Sequence, residues 1–496
     1  MSDPTNREEG AEVARAGPAG ADRAGPADLG QLVVDVGSVP NQIGAVLTLA
    51  GAGEAAVTSL ATVLADRLSE IPRLRQRLVT HPPGGGEAVW VEDPGFDVTR
   101  HLEVVACPAP GDEPALLALA ADRVTTALPA TSPRWRVALV TGLAGGRVAV
   151  VAVFHHVLAD GIGGLAVLAR LVDGGGTGAA SAASTGAASA ASTGTGAAGA
   201  ASTGAGSRPE PSARRQPEET ATPRPWQRAL RRIGPWGARG RSERRELRGG
   251  PILATRCSLN RPTGPRREAA VVRADLTAVK GFAHAHGDAT VNDVVLGAVA
   301  GALGALLRRR GEHVERLVAT VMVAPERAGS TPAAAHGTAT SSSGVANADT
   351  TAGNRAGIAP IALPSGGSLA DRLPAITART RSRLQGRRGA SAAPFGVALW
   401  LLARLRLLRW VIDHQRMVHT FVTNLRGPAS PVTLAGIPVS DLVPISLATG
   451  NVTVAFAAMS YAGILIITVV TDPIHHPDRD VLVGALEAEL AFARPR

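Results

Sequence analysis

The chain has 496 residues, 45% of them apolar and 3% aromatic, and a net charge of +10. That length exceeds one ordinary core and the apolar content is enough to bury two, while two cysteines, Cys107 and Cys257, exclude a disulfide framework and lack companion ligands at zinc spacing. Most of the charge is local: twelve arginines face five glutamates between residues 208 and 248, without zinc-finger spacing or an RNA-recognition aromatic pattern, so no nucleic-acid partner is expected.

Residues 1–28 are polar and rich in Gly, Ala and Pro, a composition that predicts disorder and lacks the apolar core of a secretion signal. No apolar run reaches bilayer length, so the protein is expected in the cytosol or lying peripherally on a membrane from that side. Residues 29–172 alternate apolar runs with helical patterns, an α/β lobe in which NQIGAVLTLAG reads as a strand and EAAVTSLATVLADRL as a helix. The lobe closes on VAVVAVFHHVLADGIGGL, a core strand that leaves His155 and His156 where a cleft can begin.

An imidazole with an ordinary pKa of about 6.5 is neutral at neutral pH. One of the two histidines can therefore deprotonate a hydroxyl or thiol, a role worth about 10²- to 10⁴-fold in rate. Asp160 is placed to hold the loop by pairing with an arginine, Gly161 admits backbone angles closed to other residues, and Gly163 or Gly164 serves the turn that follows. The plainer alternative makes both histidines hydrogen-bonded core residues and Asp160 the cap of a helix starting near Leu165.

Residues 173–250 read as a linker. A Gly/Ala/Ser/Thr tract repeats its Thr-Gly pairs at 177, 185 and 193 and cannot build a core. The arginine-rich part that follows, with Trp226 and Trp236, suits either anionic phospholipid heads or plain solvation. In the second lobe, 251–490, residues 276–307 read as mostly helical, with Thr290 capping an apolar helix. That puts Asn292 and Asp293 in its first turn, where free N–H groups suit an oxyanion contact or a structural hydrogen bond. Strands are expected at 318–325, 358–363, 418–422, 452–458 and 463–470, the last two joined by a turn at 460–462. Residues 394–414, PFGVALWLLARLRLLRWVIDH, form either an amphipathic helix in lipid, a wall of an acyl tunnel, or a core helix with snorkelling Arg404, Arg406 and Arg409.

HHVLADG fits the pattern HHxxxDG, and by it the chain resembles the bacterial wax ester synthase/diacylglycerol acyltransferase family, within the superfamily of CoA-dependent acyltransferases. Other stretches in the expected order strengthen the resemblance: DPGFDVTRHL with Pro94, Phe96, Asp97 and His101, and SPRWRVALVTGL around Trp135. SLNRPTGPRR followed by TVNDVVLGAVAGAL, then GNRAG from Gly353, then TNLRGP with Asn424 complete the series.

The resemblance implies a two-lobed, chloramphenicol-acetyltransferase-like α/β (α+β) fold with mixed sheets and an active-site tunnel between the lobes. It implies acyl-CoA as co-substrate, no metal or bound cofactor, and diacylglycerol or a long-chain alcohol as acceptor, giving triacylglycerol or wax ester. His156 takes the family's base position, with His155 shaping the site. Asp160 is structural, with Arg75 or Arg77 as its partner, and Asn292, Asp293, Gly164, Asn424 and the N–H groups of 161–164 are substrate or oxyanion candidates. A peripheral membrane or lipid-droplet surface is an expected partner. Because HHxxxDG also marks condensation-type domains, carrier-bound substrates are the alternative reading, and a noncatalytic lipid-surface protein is a third. Two departures stand out: the tract after the motif is longer and more repetitive than the family's connection, and with few aromatics the site would select acyl chains by length and volume.

Overall fold

Eight successive residues, Val148–His155, are all buried and form an inner strand of a six-stranded sheet. The structure is a computed structural model that describes residues 22–51, 53–80, 88–174, 254–323, 357–386, 402, 405 and 407–495. The expectations for the Thr-Gly tract, the arginine-rich stretch with Trp226 and Trp236, most of GNRAG and most of 394–414 fall outside those residues.

The first lobe runs β1 (Asp22–Arg23), α1 (Pro26–Val33), β2 (Gln42–Leu49), α2 (Val57–Ser69), β3 (Gln76–Val79), β4 (Val89–Glu92), β5 (Leu102–Ala106), α3 (Glu113–Thr125), β6 (Trp135–Thr141), β7 (Val148–His155) and α4 (Gly161–Leu171). The second runs β8 (Glu268–Asp275), α5 (Leu276–Ala285), α6 (Val291–Arg309), β9 (Arg316–Val323), β10 (Gly357–Pro364), α7 (Leu369–Gly386), α8 (Leu408–Asp413), β11 (Thr420–Arg426), β12 (Thr433–Leu434), β13 (Ile437–Ser446), β14 (Val454–Tyr461), β15 (Ile464–Thr471) and α9 (Arg479–Glu489). Order begins before residue 28: β1 pairs with β4, and Pro26 stands at the start of α1, where a fixed φ and a missing N–H do no harm.

The first large sheet has the order β12-β13-β2-β7-β6-β5 and the second β10-β9-β11-β14-β15-β8. Both are mixed: β5 runs parallel to β6, and β11 runs parallel to both β9 and β14. Apolar residues at helical spacing on α2 (Leu60, Leu64, Leu68) and across α3 join the core around the first sheet. Gly44 on β2 lets α3 lie close, since a Cβ there would meet Val124 Cγ2 at 2.6 Å.

A boundary at residue 250 does not separate the two sheets. The hairpin β12–β13, from the second half of the chain, crosses over and pairs with β2 along the first sheet. Val439, Leu442, Val443 and Ile445 on β13 join the first core, as do Met459, Tyr461, Ile466 and Val470 from the second sheet. Asp173, just after α4, pins the crossing hairpin: it accepts from Thr433 Oγ1 and Gly436 N at 2.7 Å each and from Ala435 N at 3.1 Å. Arg273 on β8 adds an ion-paired bridge to Glu113 at the start of α3 and to Asp441 on β13.

Residues 276–307 are helical over most of their length, as expected, and α5 and α6 part where Gly287 and Asp288 take left-handed backbone angles. Among the described residues, α6 is long and apolar enough to cross a bilayer, contrary to the sequence expectation that no run reaches that length. It is instead the core helix of the second lobe, 78% buried over its most apolar window and packed on α7 and α9.

Candidate active site

The two histidines sit where β7 gives way to α4, and the chain just before β2 holds both of them. The His156 N–H donates to Asn41 O at 2.9 Å, extending the β2–β7 ladder by one bond past its end. His155 is fixed through both ring nitrogens: Val157 N–H donates to Nδ1 at 3.0 Å, and Nε2 lies 2.9 Å from Asp35 Oδ2. A backbone N–H can only donate, so Nδ1 carries no proton and Nε2–H donates to the carboxylate. Arg134 Nη1 stands 3.3 Å from that same Nε2, where its charge balances Asp35 and does not replace its hydrogen bond. His155 is therefore a support, with neither nitrogen left for a substrate proton.

His156 is half-buried, and burial pushes its imidazole down from 6.5 to about 4, partly offset by the nearby Asp160 charge. The ring is neutral at physiological pH and can accept a proton.

Asp160 is the N-cap of α4, accepting at Oδ1 from Ile162 N at 3.0 Å and Gly163 N at 2.8 Å. The arginine partners suggested by the sequence lie elsewhere: Arg75 pairs with Glu92 at 3.5 Å, and Arg77 stands on β3 opposite Val91. Gly161 opens the helix with helical angles, so the freedom expected of it is not used, and Gly163 and Gly164 are helical too, not part of a turn. Gly164 matters for closeness, since a Cβ there would stand 3.3 Å from Ile43 Cδ1. Its N–H is taken by Asp160 O at 2.7 Å, so the N–H groups of 162–164 all serve the cap and not an oxyanion.

In the second lobe Thr290 caps α6, and Asp293 completes a capping box with it. The buried Asp293 carboxylate accepts from Thr290 N and Oγ1 at 2.9 Å, and from Thr380 Oγ1 at 2.7 Å and Thr377 Oγ1 at 3.4 Å on α7. Its oxygens are thus occupied as acceptors within the protein, which makes Asp293 a structural tie between α6 and α7. Asn292, one residue earlier, meets Asn424 of β11: Asn424 Nδ2 donates to Asn292 Oδ1 at 3.5 Å. Helix α4 packs against β11, and Leu425 reaches the first core, so Asn424 lies on the strand that meets helix α4, with Asn292 beside it at the start of α6. Gly427 of TNLRGP is needed for close approach, as a Cβ would meet Ser460 O at 2.5 Å.

The other motif stretches build the platform beneath. Phe96, His101 and Trp135 stack, with His101 and Trp135 centroids 4.5 Å apart, and Trp135 Nε1 donates to Leu74 O at 2.7 Å. The Arg267 side chain, fully buried, donates to Ala448 O and Gly264 O, fixing SLNRPTGPRR to the loop between β13 and β14. Both cysteines are buried, and burial pushes the Cys257 thiol up to about 11. Among the described residues no group of metal-ligating side chains comes together. A crevice lined by Glu103, Arg123, Leu128, Arg136 and Val151 contains none of the predicted site residues.

Asp35, Asn41 and Arg134 are contacts the sequence reading missed. Asp35 is 120 positions from His155, and its surroundings, VVDVG, carry no pattern of their own.

Comparison with known proteins points the same way. The chain matches the family model for the wax ester synthase/diacylglycerol acyltransferase catalytic domain over residues 25–295 and that for the WS/DGAT C-terminal domain over residues 352–492. It is 29% identical over 456 residues to a probable diacylglycerol O-acyltransferase of Mycobacterium tuberculosis, a match covering 90% of this chain and 86% of that protein. Its fold is similar to a wax ester synthase/diacylglycerol acyltransferase from Marinobacter aquaeolei, with TM-score 0.62 and 20% identity over 95% of this chain and 98% of that one. It is also similar, with TM-score 0.56 and 16% identity over 96% and 98% of the chains, to the first condensation domain of the calcium-dependent antibiotic synthetase.

Proposed function

The chain belongs to the wax ester synthase/diacylglycerol acyltransferase family, and from that premise we propose that it moves a fatty acyl group from acyl-CoA to diacylglycerol or a long-chain alcohol, with His156 as general base. The observation that carries the reading is the state of that ring, kept unprotonated by burial at the head of a helix packed against the strand of Asn424.

The neutral imidazole takes the hydroxyl proton as oxygen attacks the thioester carbon, and the carbonyl π pair moves onto oxygen. Collapse of the tetrahedral species breaks the C–S bond, and the thiolate takes the proton back from the imidazolium. Ester and free CoA leave, and the ring is neutral again. Asp160, close enough to favour the charged ring, steadies the imidazolium between the two transfers. Asn292, with Oδ1 engaged by Asn424, keeps an NH₂ group to donate to the developing oxyanion.

Both substrates are greasy, and we assign the acyl chain a path between the two lobes. Exposed Leu405, Leu407 and Met417 flank α8, which itself carries exposed Trp410 and Arg409, and this supports peripheral contact with an anionic lipid surface.

The test presents purified protein with labelled palmitoyl-CoA and a panel of fatty alcohols, diacylglycerol and carrier-bound acceptors. The expected result is CoA release that requires a lipid hydroxyl, with wax ester or triacylglycerol as product. Turnover of phosphopantetheine-bound acyl groups with none of free acyl-CoA would replace this reading with the condensation-type one, which the fold likeness also accommodates.

A further inference from the structure

We infer that Asp35 is the positioning residue of the site, fixing through its two oxygens both supports that carry His156. The inference rests on His156 being the base.

Asp35 does not touch His156; it divides its carboxylate between the groups that do. Oδ2 accepts from the His155 ring, the residue joined to His156 by a peptide bond, at 2.9 Å. Oδ1 accepts from Asn41 N at 2.8 Å, and Asn41 O in turn accepts from His156 N at 2.9 Å. Asn41 is tied back by its own side chain, whose Nδ2 donates to Gln31 Oε1 at 2.8 Å and Gln31 O at 3.1 Å at the end of α1. Residues 31–41 thus form a bracket around the end of β7, with Asp35 as its only charged member.

The titratable and charged groups facing this carboxylate are the His155 ring from β7 and the Arg134 guanidinium from the segment before β6. Burial alone would raise the Asp35 carboxyl, but the bonds from His155 and Asn41 hold it below the usual carboxylate range. It is a constant anion wherever the enzyme works.

An amide cannot take its place. Asn at position 35 would offer one acceptor and one NH₂ group to two donors, Asn41 N–H and His155 Nε2–H. The ring cannot adapt by changing tautomer, because Val157 N–H already requires Nδ1 as acceptor. Whichever way the amide turned, one support of His156 would be lost. A misplacement of about 1 Å at a reacting group costs about 10²-fold.

The experiment measures steady-state transfer from palmitoyl-CoA for the parent, Asp35→Asn, His155→Ala, the double variant and His156→Ala, with folding checked by circular dichroism. Asp35→Asn is expected to lower kcat about 10- to 100-fold with KM for palmitoyl-CoA changed by less than about twofold. Its loss should be smaller in the His155→Ala background than in the parent, because the two act through one bond. An unchanged kcat in folded Asp35→Asn, or losses that simply multiply, overturns the inference. Should that variant fail to fold, Asp35→Glu carries the same test, since it keeps the charge while displacing both oxygens; a parental kcat there is equally contradictory. Activity retained by His156→Ala would sink the base assignment itself, whereas an inactive His156→Ala beside a fully active Asp35→Asn would sink this inference alone.

Discussion

At the start of α4 the motif aspartate is the N-cap itself and serves two N–H groups of its own helix, whereas at the start of α6 the motif aspartate stands inside the first turn and reaches a second helix. Asp160 shapes a loop locally. Asp293 ties α6 to α7 through Thr377 and Thr380 in a buried setting. In each case the carboxylate secures the helix start, and the nearby residue to which we assign the chemistry, His156 or Asn292, is a different one. Motif carboxylates beside a reactive group can thus be part of its mounting.

The contrast can be broken in several ways. The largest effect is expected from His156→Ala, which should lower turnover about 10²- to 10⁴-fold without loss of fold, measured as CoA release. Next comes Asp293→Ala, which removes a cap and strands buried hydroxyls, and should cost about 2–4 kcal/mol in chemical denaturation. Asp160→Ala should cost about 1 kcal/mol, and Asp160→Asn less than about 0.5 kcal/mol, because Asn caps nearly as well. Equal costs at the two aspartates would dissolve the distinction.

A separate effect is expected on stability against pH. His156 and His476 are both held at about 4 by burial, against 6.5 in the unfolded chain. The unfolded state therefore binds more protons at these two groups between those values, so their contribution to stability falls as pH drops from 6.5 toward 4 and is constant above and below that window. His156→Gln should make that slope shallower, while Asn292→Ala should leave it unchanged, read from thermal midpoints across the window.

Much of this was legible in the sequence, for physical reasons. β7 announced itself as an unbroken apolar run, and Thr290 as a helix cap, because both signals are local. The hairpin β12–β13 was not, since alternating apolar residues fix a strand but not which sheet it joins. The main-chain N–H groups that Asp160 accepts from are invisible in any residue pattern. Asp35 and Thr380 escaped for the same reason: each meets its partner only when distant segments of chain fold together.

The central claim is that burial holds His156 unprotonated as the base, and the pH dependence of kcat/KM tests it most directly, because that ratio reports the ionisations of the free enzyme. Measured with brief exposure at each pH and controls returned to neutrality, the acid limb should fall at about 4. An acid limb at the ordinary histidine value of 6.5 would contradict the account, as would a limb unchanged in His156→Ala.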